Sequence, residues 1–144
     1  MNRNLFRNSD GSIREILDNV EGIVFNENPL DFFIILARYK FGTRFIKKTH
    51  KVIDVGCGHG LGSVFLSKYA NSIIGADLDK DLVKTNNSNY KNIKNLQFKH
   101  FDLLKPSKSF FNKFDVVISM DVIEHFNKKK LGTVVDSYYN LLNS

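Results

Sequence analysis

The sequence predicts an α/β fold built as an open, doubly wound parallel sheet, and three observations carry that prediction. From Lys51 onward, apolar runs of strand length alternate with stretches of helical periodicity. Two of those runs, Val52-Ile53-Asp54-Val55 and Phe114-Asp115-Val116-Val117-Ile118, are almost continuously apolar, as strands covered on both faces are. Finally, Val52–Gly62 leads an apolar strand straight into four glycines spaced two apart. Such a turn lets a ligand lie on main-chain N–H groups at the start of a helix, where the helix dipole adds partial positive charge.

The elements follow in order. Residues 1–48 read as an N-terminal helical segment. Within it, Ser12 to Val20 places Ile13, Ile16, Leu17 and Val20 on one helix face. Asn28-Pro29 reads as an N-cap followed by proline at the first helical position, opening a helix that runs to about Lys48. Residues 49–144 form the sheet-containing domain. Its strands are predicted at Lys51–Val55, Ser72–Ala76, Leu96–His100 and Phe114–Ser119, and its helices at Leu61–Tyr69, Asp79–Tyr90 and Asn127–Leu142. Alternating units of this kind imply right-handed crossovers. The chain and the last helix stop together at Asn143-Ser144 with no strand to follow, so the sheet is expected to be incomplete on its C-terminal side. The fourth strand is then an open edge that a partner or a second copy would cover.

Composition excludes several classes. No segment reaches the roughly 18 apolar residues of a membrane span. The N-terminus has no apolar stretch behind its first arginine, which argues against a signal peptide. The single cysteine, Cys57, forbids an internal disulfide and fits a reducing, cytoplasmic setting. The net charge of +6 invites a nucleic-acid partner, but 16 lysines stand against 5 arginines, beside 16 asparagines. That profile reads as an AT-rich coding bias, whereas phosphate and base recognition leans on arginine. The runs Lys47-Lys48 and Lys128-Lys129-Lys130 accordingly read as solvated helix ends, able to steer an anionic substrate.

In open parallel sheets ligands bind at the carboxyl ends of the strands, where strand order reverses. Those ends carry Asp54 before the glycine turn, Asp77 in Gly75-Ala76-Asp77-Leu78, Asp102 in His100-Phe101-Asp102-Leu103, and Asp121 beyond Ser119-Met120. Asp77 lies where a carboxylate accepts from the vicinal hydroxyls of an adenosine ribose, and Asp79 is free to cap the next helix. Asp102 can accept from an adenine amino group, with Phe101 or Leu103 on the ring. The dinucleotide fingerprint requires glycine at position 61 or 63, which are Leu61 and Ser63. No Lys-Ser or Lys-Thr follows the glycines, which excludes a P-loop. An aspartate two residues before the first glycine suits a ligand with a positively charged amino-acid end.

In order and spacing, Val52–Gly62, Ile74–Asp79, Phe98–Leu103 and Phe114–His125 resemble the motifs of class I S-adenosylmethionine-dependent methyltransferases. The resemblance covers about Lys51 to Leu142. The stretch from Phe114 to His125 looks like the subgroup of ubiquinone-pathway O-methyltransferases and many small-molecule enzymes. It implies a Rossmann-like sheet, S-adenosylmethionine as cofactor, and a cofactor site made of Asp54, Gly56, Cys57, Gly58, Gly60, Asp77, Leu78, Asp102, Leu103 and Met120. Asp54 would meet the methionine part, Asp77 the ribose, Leu78 the adenine face and Met120 the sulfonium pocket. Arg38 and Tyr39 would approach the cofactor carboxylate. His125 is the candidate general base for a hydroxyl acceptor. Asp121, Glu124 and His125 resemble a metal-binding motif of some members only in part, so no metal is assigned. Cys57 reads as a small packed residue of the turn and His59 as a solvent-exposed one.

The leading expectation is therefore an S-adenosylmethionine-dependent methyltransferase acting on a small-molecule acceptor through oxygen or nitrogen, with the acceptor half largely missing. A non-catalytic cofactor- or partner-binding module of the same fold is the alternative. A nucleic-acid methyltransferase is the third, favoured by charge alone.

Overall fold

A computed structural model describes residues 29–143. The expected helix at Ser12–Val20 and the cap at Asn28 lie outside the described residues. The chain separates into two compact units, Met1–Ile35 and Leu36–Ser144, and the whole sheet belongs to the second.

Helix α1 (Pro29–Gly42) is followed by a 3-10 turn at Thr43–Phe45. The α-helix ends short of the predicted Lys48, and Gly42 at its end is a close-approach point: a Cβ there would sit 3.2 Å from the Ile118 Cδ1. Then come β1 (Lys51–Val55), α2 (Leu61–Ser67), β2 (Ser72–Asp77), α3 (Lys80–Asn89) and β3 (Leu96–His100). Strand β4 (Val116–Ile118) and helix α4 (Leu131–Leu141) complete the series, with a 3-10 turn over Lys128–Lys130 leading into α4. All strand pairings are parallel, in the order β3-β2-β1-β4. The predicted α/β parallel architecture is the observed one.

Alternation along β1 divides the core between the two faces. Ile53 and Val55 pack with Ala76, Phe101, Phe114 and with Val134 and Leu141 of α4. Asp54 looks the other way, toward Tyr39 of α1 and Ser63 of α2. Gly62 allows this second layer to close: a Cβ on it would lie 2.0 Å from the Tyr39 ring.

The caps follow from local chemistry. The Asp79 Oδ1 accepts from the N–H groups of Asp81 and Leu82, fixing the start of α3. Asn127 caps the Lys128–Lys130 turn in the same way, through Lys129 N–H.

The two sheet edges are treated differently. On β3, the Asn87 side chain donates to the Phe98 carbonyl at 2.9 Å and accepts from the Phe98 N–H at 3.0 Å. One amide thus stands in for a neighbouring strand. On β4, no strand follows the last helix among the described residues, as expected, but the chain makes a single bridge there. Leu142 has extended backbone and pairs in parallel with Phe114, and the Asn143 N–H donates to the Phe114 carbonyl at 2.8 Å. The chain leaves α4 by returning to the sheet, because the apolar face of α4 is buried there and its exit is held at the β4 edge. The regular β4 ladder, Val116–Ile118, is shorter than the predicted Phe114–Ser119 at both ends.

Replacing Asn87 with alanine strips both bonds from the half-buried Phe98 main chain. Asn87→Ala is expected to lower stability by about 1–2 kcal/mol in urea unfolding, while Asn89→Ala, an exposed control, stays within about 0.5 kcal/mol.

Candidate active site

The chain places β2 and β3 on one side of β1 and then crosses to put β4 on the other. The gap between β1 and β4 is therefore the switch point, where two chain crossings diverge and leave an opening. A cleft of about 400 Å³ lies at the carboxyl ends of the strands. All four strands supply its wall: Val55 and Gly56 follow β1, Asp77 and Leu78 end β2, Phe101 to Leu104 follow β3, and Asp121, Val122, His125 and Phe126 follow β4. Of the residues expected at the site, Gly56, Asp77, Leu78, Asp102, Leu103 and His125 meet in this cleft.

The glycine turn is held by β2. The N–H groups of Gly56 and Cys57 both donate to the Ala76 carbonyl, at 2.7 and 3.2 Å. Gly56, Gly58 and Gly60 have φ of 75°, 50° and 86°. At Gly56 the requirement is double, since a Cβ would also come within 2.3 Å of Val122 from the β4 loop. Gly58 differs: nothing lies within 4 Å of where its Cβ would be, so this part of the turn faces open space. The Cys57 side chain is buried, and burial with the nearby Asp54 and Asp77 charges pushes its thiol well above the ordinary range. It is a packed residue, as expected, and not a thiolate.

The Asp77 carboxylate is fixed before any ligand arrives. Its Oδ2 accepts from the Gly58 N–H at 2.9 Å and its Oδ1 from the Asp79 N–H at 3.0 Å. The remaining lone pairs stay available at the cleft wall. Asn86 of α3 holds the same turn from below: it is fully buried and its Nδ2 donates to the Gly58 carbonyl at 2.7 Å. Sequence reading passed over Asn86, whose only signal was a polar residue on the otherwise apolar face of a polar helix.

Beyond Asp77 the wall is apolar. Phe101 and Leu103 are buried, while Leu78 is 63% exposed at the rim. An apolar side chain left open opposite buried ones makes a slot for a flat apolar group. Asp102 borders that slot, with its Oδ1 accepting from the Leu104 N–H at 2.8 Å.

Asp54 does not reach the cleft wall. It lies fully buried beneath the glycine turn, where the Ser63 hydroxyl donates to it at 2.6 Å and the Tyr39 hydroxyl at 3.3 Å. Burial outweighs these two bonds and pushes its carboxyl up to about 6. Tyr39, expected near a cofactor carboxylate, is committed to this buried knot.

At the mouth of β4 the backbone turns sharply, with Asp121 at φ 54°. The Arg38 guanidinium pairs with the Asp121 carboxylate. Ser119 ties the strand end to its neighbours, donating to the Val55 carbonyl at 3.1 Å and bonding the Tyr138 hydroxyl at 2.8 Å. Met120 lies outside the cleft lining, its Cε 3.6 Å from where a Cβ on Gly42 would be, and Cys57, Gly58 and Gly60 are also outside the lining. His125 stands in a short 3-10 turn, exposed at the cleft. Among the described residues no group of three His, Cys, Asp or Glu side chains converges as a metal site would require.

The donor set decides what can bind. Among the described residues three carboxylates (Asp77, Asp102 and Asp121) line the cleft, Asp121 paired with Arg38, and no lysine or arginine is in the lining. That repels a pyrophosphate and suits a ligand carrying hydroxyls, amino groups and positive charge. The residues present therefore fit an adenosine bearing a cationic sulfonium and amino-acid end.

The raised Asp54 value has a testable sign. Unfolded, the carboxyl titrates near 3.8; folded, near 6. Its penalty is absent below the lower value, grows as pH rises through this window, and is complete above about 6. The stability difference between Asp54→Asn and the parent should shift in the variant's favour from pH 4 to pH 7, by up to about 3 kcal/mol, read as Tm against pH.

Comparison with known proteins agrees with this reading of the cleft. A family model described as "Methyltransferase domain" matches residues 52–144. The ubiquinone biosynthesis O-methyltransferase of Pelagibacter ubique is 32% identical over 83 residues, covering 56% of this chain and 33% of the relative. The ribosomal RNA small subunit methyltransferase A of Wigglesworthia glossinidia brevipalpis is 34% identical over 98 residues, covering 57% and 37%. The chain thus spans about a third of the length of the curated relatives it matches. Among solved structures, the PH0226 protein of Pyrococcus horikoshii superposes with a TM-score of 0.68 at 27% identity, over 81% of this chain and 55% of the other. A TehB-like SAM-dependent methyltransferase from Corynebacterium glutamicum gives 0.63 at 20% identity, over 81% and 66%, a likeness of fold. The chain belongs to the methyltransferase-domain family, within the class I enzymes that use S-adenosylmethionine.

Proposed function

We propose that this chain binds S-adenosylmethionine in the switch-point cleft and takes part in methyl transfer to a small-molecule acceptor, through oxygen or nitrogen, in the cytoplasm. The observation that carries the proposal is the convergence of Asp77, Leu78, Asp102, Leu103 and His125 on one cleft beside the glycine turn. The bound cofactor supplies an activated methyl group on a sulfonium, so the protein's part is to position, desolvate and move one proton.

Each residue has a definite task in this reading. Asp77 accepts from both ribose hydroxyls, while Gly58 and Asp79 N–H groups hold its carboxylate in place. Leu78 and Leu103 sandwich the adenine, and Asp102 accepts from its amino group. Gly56, Cys57, Gly58 and Gly60 bring main chain close to the methionine end. The buried Asp54 contributes negative charge from beneath the turn. Met120, outside the cleft lining, is the residue assigned to the side of the reacting sulfur by its place after β4. His125 takes the acceptor proton when the acceptor is a hydroxyl. Relatives named as ubiquinone biosynthesis O-methyltransferases support an oxygen acceptor. The three carboxylates lining the cleft disfavour a polyanion there, although a ribosomal RNA methyltransferase is also among the relatives.

Calorimetric titration tests the binding claim. S-adenosylmethionine and S-adenosylhomocysteine should both bind saturably, and Asp77→Ala should weaken each at least about 30-fold through loss of two charge-assisted bonds. No saturable heat at millimolar ligand would sink the reading. In turnover with a hydroxylated aromatic acceptor, His125→Gln should lower kcat about 100-fold and leave S-adenosylhomocysteine binding unchanged.

A further inference from the structure

In a parallel sheet every loop that enters a strand lies at the same end, opposite the ligand cleft. Here that end collects lysine from all four loops. Lys47 and Lys48 precede β1, which opens on Lys51; Lys68 precedes β2; Lys91 and Lys94 precede β3; Lys113 precedes β4. All seven are exposed. Between-loop contacts show that they form one surface. The Lys48 ammonium donates to the Lys68 carbonyl. The Asn95 amide, next to Lys94, donates to the Ser67 and Ala70 carbonyls at 2.9 and 3.3 Å. Lys51 and Lys113 share the wall of a hollow of about 320 Å³, with Ser72, Asn112 and Asn143 as further polar lining.

Among the described residues Asp115 is the carboxylate at this end, and it is engaged by the Lys51 N–H at 2.7 Å and by the Asn143 amide. Among the described residues the ion pair found is Arg38–Asp121, at the other end. Seven of the 16 lysines stand at this end; Lys105, Lys108 and Lys128–Lys130 lie in the connections that follow β3 and β4. Helix C-termini favour nearby cations, and the Lys48 ammonium is bonded to a helix-end carbonyl. Two exposed tyrosines accompany the lysines: Tyr69, 39% exposed, just past α2, and Tyr139, 77% exposed, in the last turn of α4. The neighbouring Asn140 and Leu141 carbonyls accept from Asn112 and Lys113, which places Tyr139 at this same end.

We propose that the end of the sheet opposite the cleft is a docking face for single-stranded nucleic acid, gripped through its phosphates. Lysine ammonium groups neutralise a phosphate chain without reading its bases, which the shortage of arginine does not oppose. The tyrosine rings offer stacking surfaces that accept any base, and the Lys51–Lys113 hollow seats one phosphate. An anionic membrane surface would attract the same ammonium groups, and vesicles are therefore one arm of the test; the exposed tyrosine rings beside the lysines favour a strand of bases. The strand docks away from the acidic cleft, as a tether and not as the methyl acceptor. The proposal does not rest on the identity of the cleft ligand.

Fluorescence anisotropy with a labelled oligouridylate of about 12 nucleotides, across a salt series, tests it. Binding should weaken linearly in a log–log plot, and Lys47→Gln/Lys48→Gln/Lys51→Gln should reduce the slope by about 2 and the affinity at least about 10-fold. Tyr69→Ala/Tyr139→Ala should weaken binding about 10-fold with the slope unchanged. Lys128→Gln/Lys129→Gln/Lys130→Gln, which leaves this face intact, should bind as the parent does, and thermal melts verify that all variants fold. No binding at about 50 mM salt, an equal loss from the Lys128–Lys130 variant, or binding to anionic phosphatidylglycerol vesicles without binding to the oligonucleotide would each overturn the proposal.

Discussion

Parallel strand direction is the constraint on which the rest of this molecule depends. Four strands pointing one way must be joined by crossovers that return, so helices start at one end of the sheet and finish at the other. That polarity sorts chemistry. Helix N-termini, the glycine turn and the carboxylates of Asp77, Asp102 and Asp121 gather at the carboxyl ends of the strands. Helix C-termini and the loops that bear Lys47, Lys48, Lys68, Lys91, Lys94 and Lys113 stand at the amino ends. Topology separates the two ends, and the residues in the loops give each its charge.

Within that frame the turn after β1 is held from three sides. Beneath it, the buried Asp54 draws Ser63 of α2 and Tyr39 of α1 onto β1. Beside it, Asp77 and Asn86 fix the N–H and carbonyl of Gly58. Above it, Val122 fills the space that a side chain on Gly56 would need. A buried carboxylate with only two neutral donors is costly to keep ionised, which is why its pKa rises. The fixed turn is the return on that cost: main-chain groups that must meet a ligand are already ordered, so binding need not order them.

Much of this was legible in the chain itself, for reasons that can be named. The strands at Lys51–Val55 and Leu96–His100 match their predicted bounds because the first is a short, mainly apolar run and the second alternates apolar and polar residues. Asp79 reads as a cap and is one. The places where reading stopped short are long-range. Nothing near Gly42 tells that Ile118 will approach it. Nothing near Leu142 tells that Phe114 will bridge to it. Asn86 and Asn87 look alike on the page, yet one is buried under the glycine turn and the other edges β3 in an exposed position. Only the rotation between successive helical residues, set against two different neighbours, separates them.

The sequence by itself determined the order of strands and helices, the glycine turn, and which carboxylates would stand at strand ends, because each depends on residues within one turn or one strand. It also placed His125 at the mouth of β4. The tertiary structure alone decided that Asp54 lies under the turn and not in the cleft, since burial is set by Tyr39 and Ser63 arriving from other elements. It decided that Arg38 meets Asp121 across 83 residues of chain. It also turned scattered lysines, unremarkable as a composition, into one charged face, because charge acts through distance in space and the sheet brings four separate loops together.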